Sequence, residues 1–387
     1  MGQPRFVHLH LHTDYSLLDG ACDIAELVNE TARRGMPAVA VTDHGNLFAA
    51  ANFYHEATTR GVKPIIGCEV YVARGSRHDR GPGSPSPEGA PRDSETVTRS
   101  NGLEPVRGSN HLLLLCETTE GYRNLIQLVS AGFLEGFYYK PRIDYDLLAK
   151  HSRGLIALSA CLRGAVSEAM LEERYDEARE SAYRLRDLFG KGNFFLEVQD
   201  QGMEAEKRVN QELVRLSRET GIPLVATNDC HYLTQADARA QEVLLCIQTG
   251  KTMSDPQRMR FATDQFYFKT AAEMAQVFRE LPEAVERTAI IAERCNVKLE
   301  RVNNPFPEFQ VPEGHTLDSY FEAVVREGLA ARVPYLEALA QKGLLRQPLA
   351  DYERRLSEEI RIIQKIDRKS TRLNSSHLKL SRMPSSA

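Results

Sequence analysis

Short apolar runs alternate along this chain with segments in which apolar residues recur every three or four positions. Runs of apolar, often β-branched residues are typical of strands, whereas the wider spacing is typical of amphipathic helices. The runs lie at residues 6–12, 38–42, 64–72, 111–116, 155–159, 194–198 and 223–226. Strands that alternate with helices predict an α/β fold on a parallel sheet, either open or closed into a barrel.

The first predicted helix shows the pattern most clearly. Asp23 precedes it as an N-cap, and Glu26 stands three positions later, as a capping box requires. Ile24, Leu27 and Val28 then share one helical face. The sequence therefore predicts that a helix begins at about residue 24.

Side chains that could bind a metal are grouped where the predicted strands end. They are His10, His12, Asp43, His44, Glu69, Cys161, Asp229 and His231. In a βα barrel the carboxyl ends of the strands converge on one rim, whereas an open sheet spreads them along an edge. We therefore predict a distorted (β/α) barrel of about seven strands, similar to a TIM barrel. His111 departs from the pattern because it begins its strand.

The barrel pattern covers residues 1–275 and is interrupted once. Residues 74–110 contain a stretch rich in Gly, Pro and Ser, which predicts a mobile surface insertion. Residues 276–367 form a mainly helical segment. Residues 368–387 lack acidic side chains and helical periodicity. We interpret them as a non-native tail that resembles translated sequencing-adapter sequence, with a native basic tail as the alternative.

The composition excludes some classes of protein. The 387 residues are 42% hydrophobic and 26% charged, and the net charge of -4 does not by itself indicate a nucleic-acid-binding protein. Removal of the five Lys and Arg residues of 368–387 would change that charge to -9. Seven cysteines without a CxxC pair indicate reduced thiols and a cytoplasmic location. We find no membrane span and no signal peptide.

The run from His8 to His12 is the strongest chemical signal. Side chains alternate along a strand, so His8, His10 and His12 are expected on one face, where they could bind a divalent metal. A histidine-rich surface strand is the alternative. The proposed rim supplies nine ligand-type residues in all: His10, His12, Asp19, His44, Glu69, His111, Cys161, Asp229 and His231.

Nine ligands are too many for one zinc ion, which usually takes four. They suit a cluster of two or three ions, and such clusters hydrolyse phosphate esters. Imidazole, carboxylate and one thiol favour Zn or Mn over Ca or Mg. Taken singly, some of these residues also fit ordinary structural roles: Asp43 could be a turn residue, Glu69 a solvated strand end, and Cys161 a small buried apolar residue.

Residues 6 to about 275 resemble the polymerase-and-histidinol-phosphatase (PHP) domain, and more closely the N-terminal region of the bacterial DNA polymerase III alpha subunit family. The matching strings lie at 6–21, 41–46, 67–69, 111–115, 136–144, 158–161 and 226–232. The family fold is a distorted seven-stranded barrel, in agreement with the strand count. The string from Gly136 to Asp144, which includes Tyr139, Lys140 and Arg142, is not expected in a stand-alone PHP phosphatase.

The resemblance implies roles for individual residues. The nine ligand-type residues occupy the family's metal-binding positions, with Cys161 where other PHP proteins carry His, and His8 stands beside them as a supporting residue. Asp229, His231 and His12 are expected to be catalytic as well. Lys140 and Arg142 are candidates for contacts with a DNA phosphate, with a structural salt bridge as the alternative.

In family terms, the resemblance implies a metal-dependent 3′–5′ exonuclease within a DNA-directed DNA polymerase of chromosomal replication. The polymerase aspartates, which bind Mg²⁺ in a later palm, are absent from this chain, and 276–367 resembles the lead-in to a truncated palm. The fragment is therefore not expected to polymerise. Implied partners are the DNA primer-template, the sliding clamp, other replicase subunits and a proofreading exonuclease subunit.

Three other interpretations stay open. The PHP domain could be catalytically silent and act as a scaffold that stabilises the polymerase and docks the proofreading subunit. It could be a small-molecule phosphatase of the histidinol-phosphate type. It could also belong to an error-prone polymerase paralogue, although the string from Leu11 to Ala21 looks more like the replicative form.

Overall fold

The computed structural model describes residues 5–80, 98–99, 102–103, 109–300 and 309–370, with the backbone alone at 98–99, 102–103 and 366–370. The predicted tail lies almost entirely outside the described residues, as does most of the predicted insertion. The chain divides into two compact units, one through Leu299 and one from Glu300.

The first unit alternates strands with helices, as the apolar pattern predicts. Its strands are β1 (Ala38–Val41), β2 (Lys63–Ala73), β3 (Thr98–Arg99), β4 (Gly102–Leu103), β5 (Ser109–Cys116), β6 (Phe137–Tyr138), β7 (Lys140–Ile143), β8 (Leu155–Leu158), β9 (Phe194–Gln199) and β10 (Leu224–Thr227). Its helices are α1 (Ile24–Arg33), α2 (Ala50–Thr59), α3 (Thr119–Leu134), α4 (Tyr145–His151), α5 (Ala165–Leu171), α6 (Tyr175–Phe189), α7 (Glu204–Thr220), α8 (Ala238–Thr249), α9 (Ala271–Val277) and α10 (Pro282–Arg294), with a 3₁₀ turn at Gln235–Asp237. Asp23 caps α1 by accepting from the backbone N–H of Glu26, as predicted.

The main sheet is mixed rather than purely parallel. Its hydrogen-bonded order is β10-β9-β8-β5-β2-β7-β6, and β1 pairs with β2. β5 runs antiparallel to both β2 and β8, whereas β1–β2, β8–β9 and β9–β10 are parallel. The reversal of β5 explains the position of His111, because the start of an antiparallel strand lies beside the carboxyl ends of its neighbours.

The N-terminal segment closes the sheet into a distorted barrel. His8 O accepts from the N–H of Ala40 on β1 (2.9 Å), and the N–H of His12 donates to the carbonyl of Cys230 just after β10 (2.8 Å). The segment is therefore held between the two ends of the sheet. It is not a regular strand, because a bend falls at His10 and only isolated bridges form at Leu11 and Thr13. In the described part of the chain, this segment and β1, β2, β5, β8, β9 and β10 lie at the seven predicted positions, while β6 and β7 extend the sheet beside β2. The predicted α/β fold class is confirmed.

The apolar side chains form two layers. Alternate strand residues face outward and pack under the helices, and the others fill the barrel interior. The interior layer includes Val7, Leu113 and Ile291, the last of which comes from α10. α10 closes the end of the barrel opposite the candidate site, and the Thr288 hydroxyl on α10 accepts from the N–H of Val7 (3.0 Å). The barrel unit therefore extends past residue 275, the boundary expected from the sequence, and includes α10.

The second unit is helical in its described part. α11 (Leu317–Gln341) begins at an N-cap, Thr316, and α12 (Leu349–Ser370) packs on it. The side-chain amide of Gln364 donates to the carbonyl of Asp318 (3.1 Å). In the described part of the chain, no helix combines the length and apolarity that a membrane crossing requires.

Candidate metal centre

Strand alternation places polar side chains at one end of the barrel interior. Along β2, Ile65 faces inward, so Glu69 does too, four residues later. The same rule places His111 inward two residues before Leu113, and Glu197 inward two residues after Phe195. All three polar residues are buried, with at most 4% of their surface exposed. The sequence thus builds an apolar interior that becomes polar and ionisable at one rim.

The bend at His10 changes which side of the N-terminal segment faces inward. Val7 and Leu9 belong to the interior layer, and after the bend His10 and His12 turn to the polar rim, where both contact Asp229. His8 points the other way: it stacks near Phe268 in the outer layer, and its Nε2 contacts the carbonyl of Lys269 (2.8 Å). The expectation that three histidines share one face is therefore wrong for His8. Burial lowers the pKa of His8 to about 3, so it stays neutral.

Glu69 lies at the centre of the imidazoles. Its Oε2 is 2.9 Å from His44 Nδ1 and 3.4 Å from His12 Nε2, and its Oε1 is 2.8 Å from His111 Nδ1. The Sγ of Cys161 lies 3.8 Å from the same Oε1. One carboxylate thus contacts ligand-type groups from four separate segments of the chain.

Two aspartates complete the arrangement. Asp229 Oδ1 is 3.2 Å from the Nε2 atoms of both His10 and His12. Asp19 Oδ2 is 2.9 Å from His44 Nε2 and 3.5 Å from His231 Nε2. Asp229 has φ +47°, a conformation that Asp tolerates better than most residues.

The loop that carries Asp19 depends on Gly20. A Cβ added at Gly20 would lie 2.0 Å from the carbonyl oxygen of Thr13, so no larger residue fits without moving this loop. Gly20 therefore allows the loop to pack closely enough for Asp19 to reach His44 and His231.

The donor atoms fall into three overlapping groups. Within each group they lie within 4.8 Å of one another, and His12, His44 and Glu69 each belong to two groups. The groups are His12 with His44 and His231, His10 with His12 and Glu69, and His44 with Glu69 and His111. Shared donors of this kind suit a cluster of ions better than one isolated ion.

Several donor atoms fit a metal because the protein leaves them unsatisfied. Among the described residues, Nε2 of His10, His12 and His111 and Oδ1 of Asp229 are buried without a hydrogen bond of proper geometry, although the Asp229 oxygen lies 3.2 Å from the first two nitrogens. A buried polar atom without a partner costs roughly 1–3 kcal/mol, and buried groups are normally satisfied. Coordination of Zn or Mn, which accept imidazole and carboxylate together, would satisfy them.

Electrostatics keep the carboxylates ionised. Burial opposes the charge of Glu69, but His111, His10 and His44 outweigh it and hold the pKa of Glu69 well below its usual value. Burial likewise disfavours charge on His10, but Asp229 and Glu197 raise the pKa of His10 above its ordinary value. The site is therefore a network of charged groups in a buried setting, where a divalent ion can replace the protons.

Two other candidate ligands, His12 and Cys161, respond differently to burial. Burial, with His44 and His231 nearby, lowers the pKa of His12 to about 3, so its imidazole is already neutral. Burial raises the pKa of the Cys161 thiol, with the charges of Glu69 and Asp229 adding to the effect. A bound ion would have to displace the thiol proton.

Two residues that contact candidate ligands, Glu197 and Ser16, were not identified from the sequence. The Nδ1 of His10 donates to Oε1 of Glu197 (2.7 Å), which leaves Nε2 toward the centre. The Nδ1 of His12 contacts the hydroxyl of Ser16 (3.0 Å), and that hydroxyl donates to Asp43 (2.8 Å). Such contacts fix the orientation of ligand imidazoles. Strand alternation from Phe195 could have identified Glu197.

The two predicted phosphate-binding residues have different surroundings, and a phosphate contact by either stays a prediction. Arg142 is buried, and its guanidinium donates to the carbonyls of Gly136, Arg77 and Asp79. Arg142 therefore has a structural role, as in the alternative interpretation, but through hydrogen bonds to the backbone rather than a salt bridge. The Nζ of Lys140 lies 5.3 Å from the centre of the Tyr71 ring.

The centre opens into a cavity of about 390 Å³. Seven of the nine predicted ligands line it: Asp19, His44, Glu69, His111, Cys161, Asp229 and His231. Arg163, Glu206 and Phe261 contribute to its other walls. His10 and His12 lie beneath, fully buried. The structure thus brings all nine predicted residues together at one accessible site.

A buried cluster of His and carboxylate side chains at one rim of a distorted α/β barrel defines a class of candidate metal-binding domain. Residues 8–201 match the family model of the PHP domain, half of the chain, and the chain belongs to this family.

Several longer proteins that resemble this chain carry one and the same name. The chain is 44% identical to the DNA polymerase III subunit alpha of Treponema pallidum, over 86% of this chain and 27% of that protein. Identity to the subunit alpha of Thermus aquaticus is 42%, over 92% and 29%, and to that of Mycobacterium tuberculosis H37Rv 42%, over 85% and 27%. These matches confirm the predicted resemblance. The chain spans little more than a quarter of the length of these relatives.

Solved structures align only weakly. A two-domain protein from Bacteroides vulgatus, described as containing a predicted PHP-like metal-dependent phosphoesterase, aligns with TM-score 0.33 at 13% identity, over 73% of this chain and 62% of that chain. A TM-score this low supports no inference about the fold or the site.

Proposed function

We propose that this centre is a metal phosphoesterase with two or three Zn or Mn ions that removes nucleotides from DNA 3′ ends. The observation that carries the proposal is the set of overlapping donor groups, several of whose buried atoms have no hydrogen-bond partner. When bound, divalent ions stabilise negative charge on phosphoryl oxygens and make water a better nucleophile at neutral pH.

The residues themselves prepare the site. Glu69 belongs to two donor groups, so its carboxylate is placed to be shared between ions. The Nδ1 of His231 is 2.9 Å from the carbonyl of Asp229, which leaves its Nε2 directed toward Asp19 as a ligand atom. Asp229 and His231 also line the cavity. We therefore assign them catalytic roles, together with His12, which completes two of the donor groups.

The substitution Asp229→Asn tests this assignment. It removes the charge beside His10 and His12 without changing the size of the side chain. We expect the variant to lose at least about tenfold in metal-dependent release of 3′ nucleotides, in line with the loss caused by disturbing a metal site. Asp176→Asn, on the exposed face of α6, is the matched control. Full activity in Asp229→Asn would contradict the proposal.

For the whole protein we propose a DNA-directed DNA polymerase of chromosomal replication. Three relatives named DNA polymerase III subunit alpha, 42–44% identical, support it. The proposed partners are a DNA primer-template, a sliding clamp and other replicase subunits, and the polymerase site of the whole protein would use Mg²⁺. A primer-extension assay tests this. We expect extension by the whole protein and none by the present chain.

A silent scaffold is the second candidate function. The donors come from the N-terminal segment, β2, β5 and the segments after β1, β8 and β10, so a bound ion would tie separate parts of the barrel together. Bound metal stabilises the state that binds it. This candidate predicts a melting temperature that falls on chelation, no phosphoesterase activity, and a role in docking a proofreading subunit. Equal melting temperatures with and without chelator would exclude it.

A further inference from the structure

The cavity above the centre contains one conspicuous cation. Arg163 is the one Arg or Lys among the described residues that line it, whereas Glu204 and Glu206 add acidic groups to the carboxylates of the centre. Arg163 is half-buried, and in the part of the chain that the structure describes its guanidinium makes no ion pair or hydrogen bond. A guanidinium in this position is available to an anion that enters the cavity.

The backbone fixes Arg163 to the ligand shell. Its carbonyl accepts from the N–H of His111 (3.0 Å), and it stands two residues after Cys161. Its position is therefore coupled to two of the metal-ligand candidates. Arginine suits phosphate because its planar fork donates two parallel hydrogen bonds.

An aromatic wall stands on the same cavity. The ring of Phe261 is 5.0 Å from that of His231, nearly perpendicular at 80°, and 4.5 Å from that of Phe266. Phe266 is buried, whereas Phe261 is half-buried and lines the cavity. Phe261 thus offers an aromatic surface beside a proposed catalytic residue, and aromatic surfaces of this kind stack on nucleic-acid bases.

We propose that Arg163 and Phe261 form a nucleotide subsite, in which Arg163 binds a phosphate and Phe261 stacks on the base of the 3′-terminal nucleotide. This inference rests on the proposed function and adds to it the residues that would hold the terminal nucleotide of the substrate. The cavity volume of about 390 Å³ lies in the range of small-molecule sites. The alternative is that Phe261 only shields His231 from water.

Binding to the full chain, with its metal content measured for every variant, separates these roles. We would titrate the Mn²⁺-loaded protein with deoxyadenosine 5′-monophosphate and with 2-deoxyribose 5-phosphate, which lacks the base, by calorimetry. The wild type should bind the nucleotide about tenfold tighter, as base stacking predicts. Phe261→Ala should remove this difference, and Phe261→Tyr should restore it because the ring remains.

Arg163→Gln should weaken both ligands by about tenfold or more, because both lose the same charged hydrogen bonds. Arg123→Gln, an exposed arginine on α3, is the matched charge control and should change neither affinity. Equal binding of the two ligands by the wild type would overturn the stacking role. A Phe261→Ala variant that loses metal and weakens both ligands equally would assign Phe261 to shielding. Unchanged phosphate binding in Arg163→Gln would overturn the role of Arg163.

An exonuclease assay on a single-stranded oligonucleotide separates this inference from the proposed function. Release of nucleotides by a wild type that binds both ligands equally would reject base stacking by Phe261 and keep the phosphoesterase. A clear base-dependent affinity without nucleotide release would reject the phosphoesterase and keep the subsite.

Discussion

The substitution Glu69→Gln should remove most of the stability that bound metal gives to the fold. Glu69 is 1% exposed and contacts His12, His44 and His111 through its two carboxylate oxygens. Neighbouring imidazoles hold the pKa of Glu69 well below its usual value even against burial. Ionised Glu69 therefore stabilises the fold at pH values above the ordinary pKa of a glutamate. The variant therefore loses some stability even without metal, and the informative quantity is the additional loss with metal.

The size of that additional loss follows from the donor groups. Glu69 belongs to two of the three groups. An ion present at a hundred times its dissociation constant stabilises the fold by about 2.7 kcal/mol. If binding at both groups falls by about a hundredfold, the metal-dependent part of the free energy of unfolding should fall by about 5 kcal/mol.

Urea unfolding measures this in three proteins, the wild type, Glu69→Gln and a control, each with Mn²⁺ and with EDTA. Glu117→Gln is the control, since Glu117 pairs with Arg294 (2.9 Å) and takes no part in the centre. The control should lose the same free energy of unfolding with metal and with EDTA. An equal loss in both conditions for Glu69→Gln would refute its role as a shared ligand.

Three further substitutions probe other parts of the molecule. Glu197→Gln disturbs the orientation of His10 and should weaken metal affinity by about 10–100-fold in competition with a chelating dye; an unchanged affinity would deny that role. Burial raises the pKa of Glu206 to about 7, so between about pH 4.5 and 7 the folded state keeps a proton that the unfolded state has lost. The free energy of unfolding should therefore fall by about 3 kcal/mol as pH rises through that window. Glu206→Gln keeps an acceptor for the backbone N–H groups of Gln201 and Met203, and should remove that pH dependence in urea unfolding with EDTA; the same slope in both proteins would show that another group is responsible. Ile291→Ala, at a fully buried position on α10, should lower the free energy of unfolding by about 2–5 kcal/mol, whereas a negligible loss would place α10 outside the barrel unit.

Residue type and order were enough to predict which ligand-type side chains lie together. His10, His12, His44 and Asp229 were predicted together, because polar residues at strand ends meet at one rim of a barrel. The antiparallel direction of β5 could not be predicted from its apolar run, and so His111 looked out of place. In the structure β5 runs antiparallel to its neighbours, so His111 at its start lies at the same rim as the other strand ends.

Other misassignments have a local cause. A bend at His10 turns His8 away from the centre, and the apolar pattern carries no sign of such a bend. α10 has the same amphipathic pattern whether it packs on the barrel or on later helices, so its partner could not be predicted. The predicted palm segment at 276–367 stays a prediction for its part beyond α10.

The metal content of the purified full chain decides whether this centre is a metal cluster. The protein would be expressed without added metal, purified without chelator and measured by inductively coupled plasma mass spectrometry, with folding checked by circular dichroism. We expect roughly two or three equivalents of Zn, Mn or Fe, as overlapping donor groups require. A well-folded protein with essentially no metal, and none taken up on dialysis against Zn²⁺ or Mn²⁺, would contradict the assignment of a metal centre.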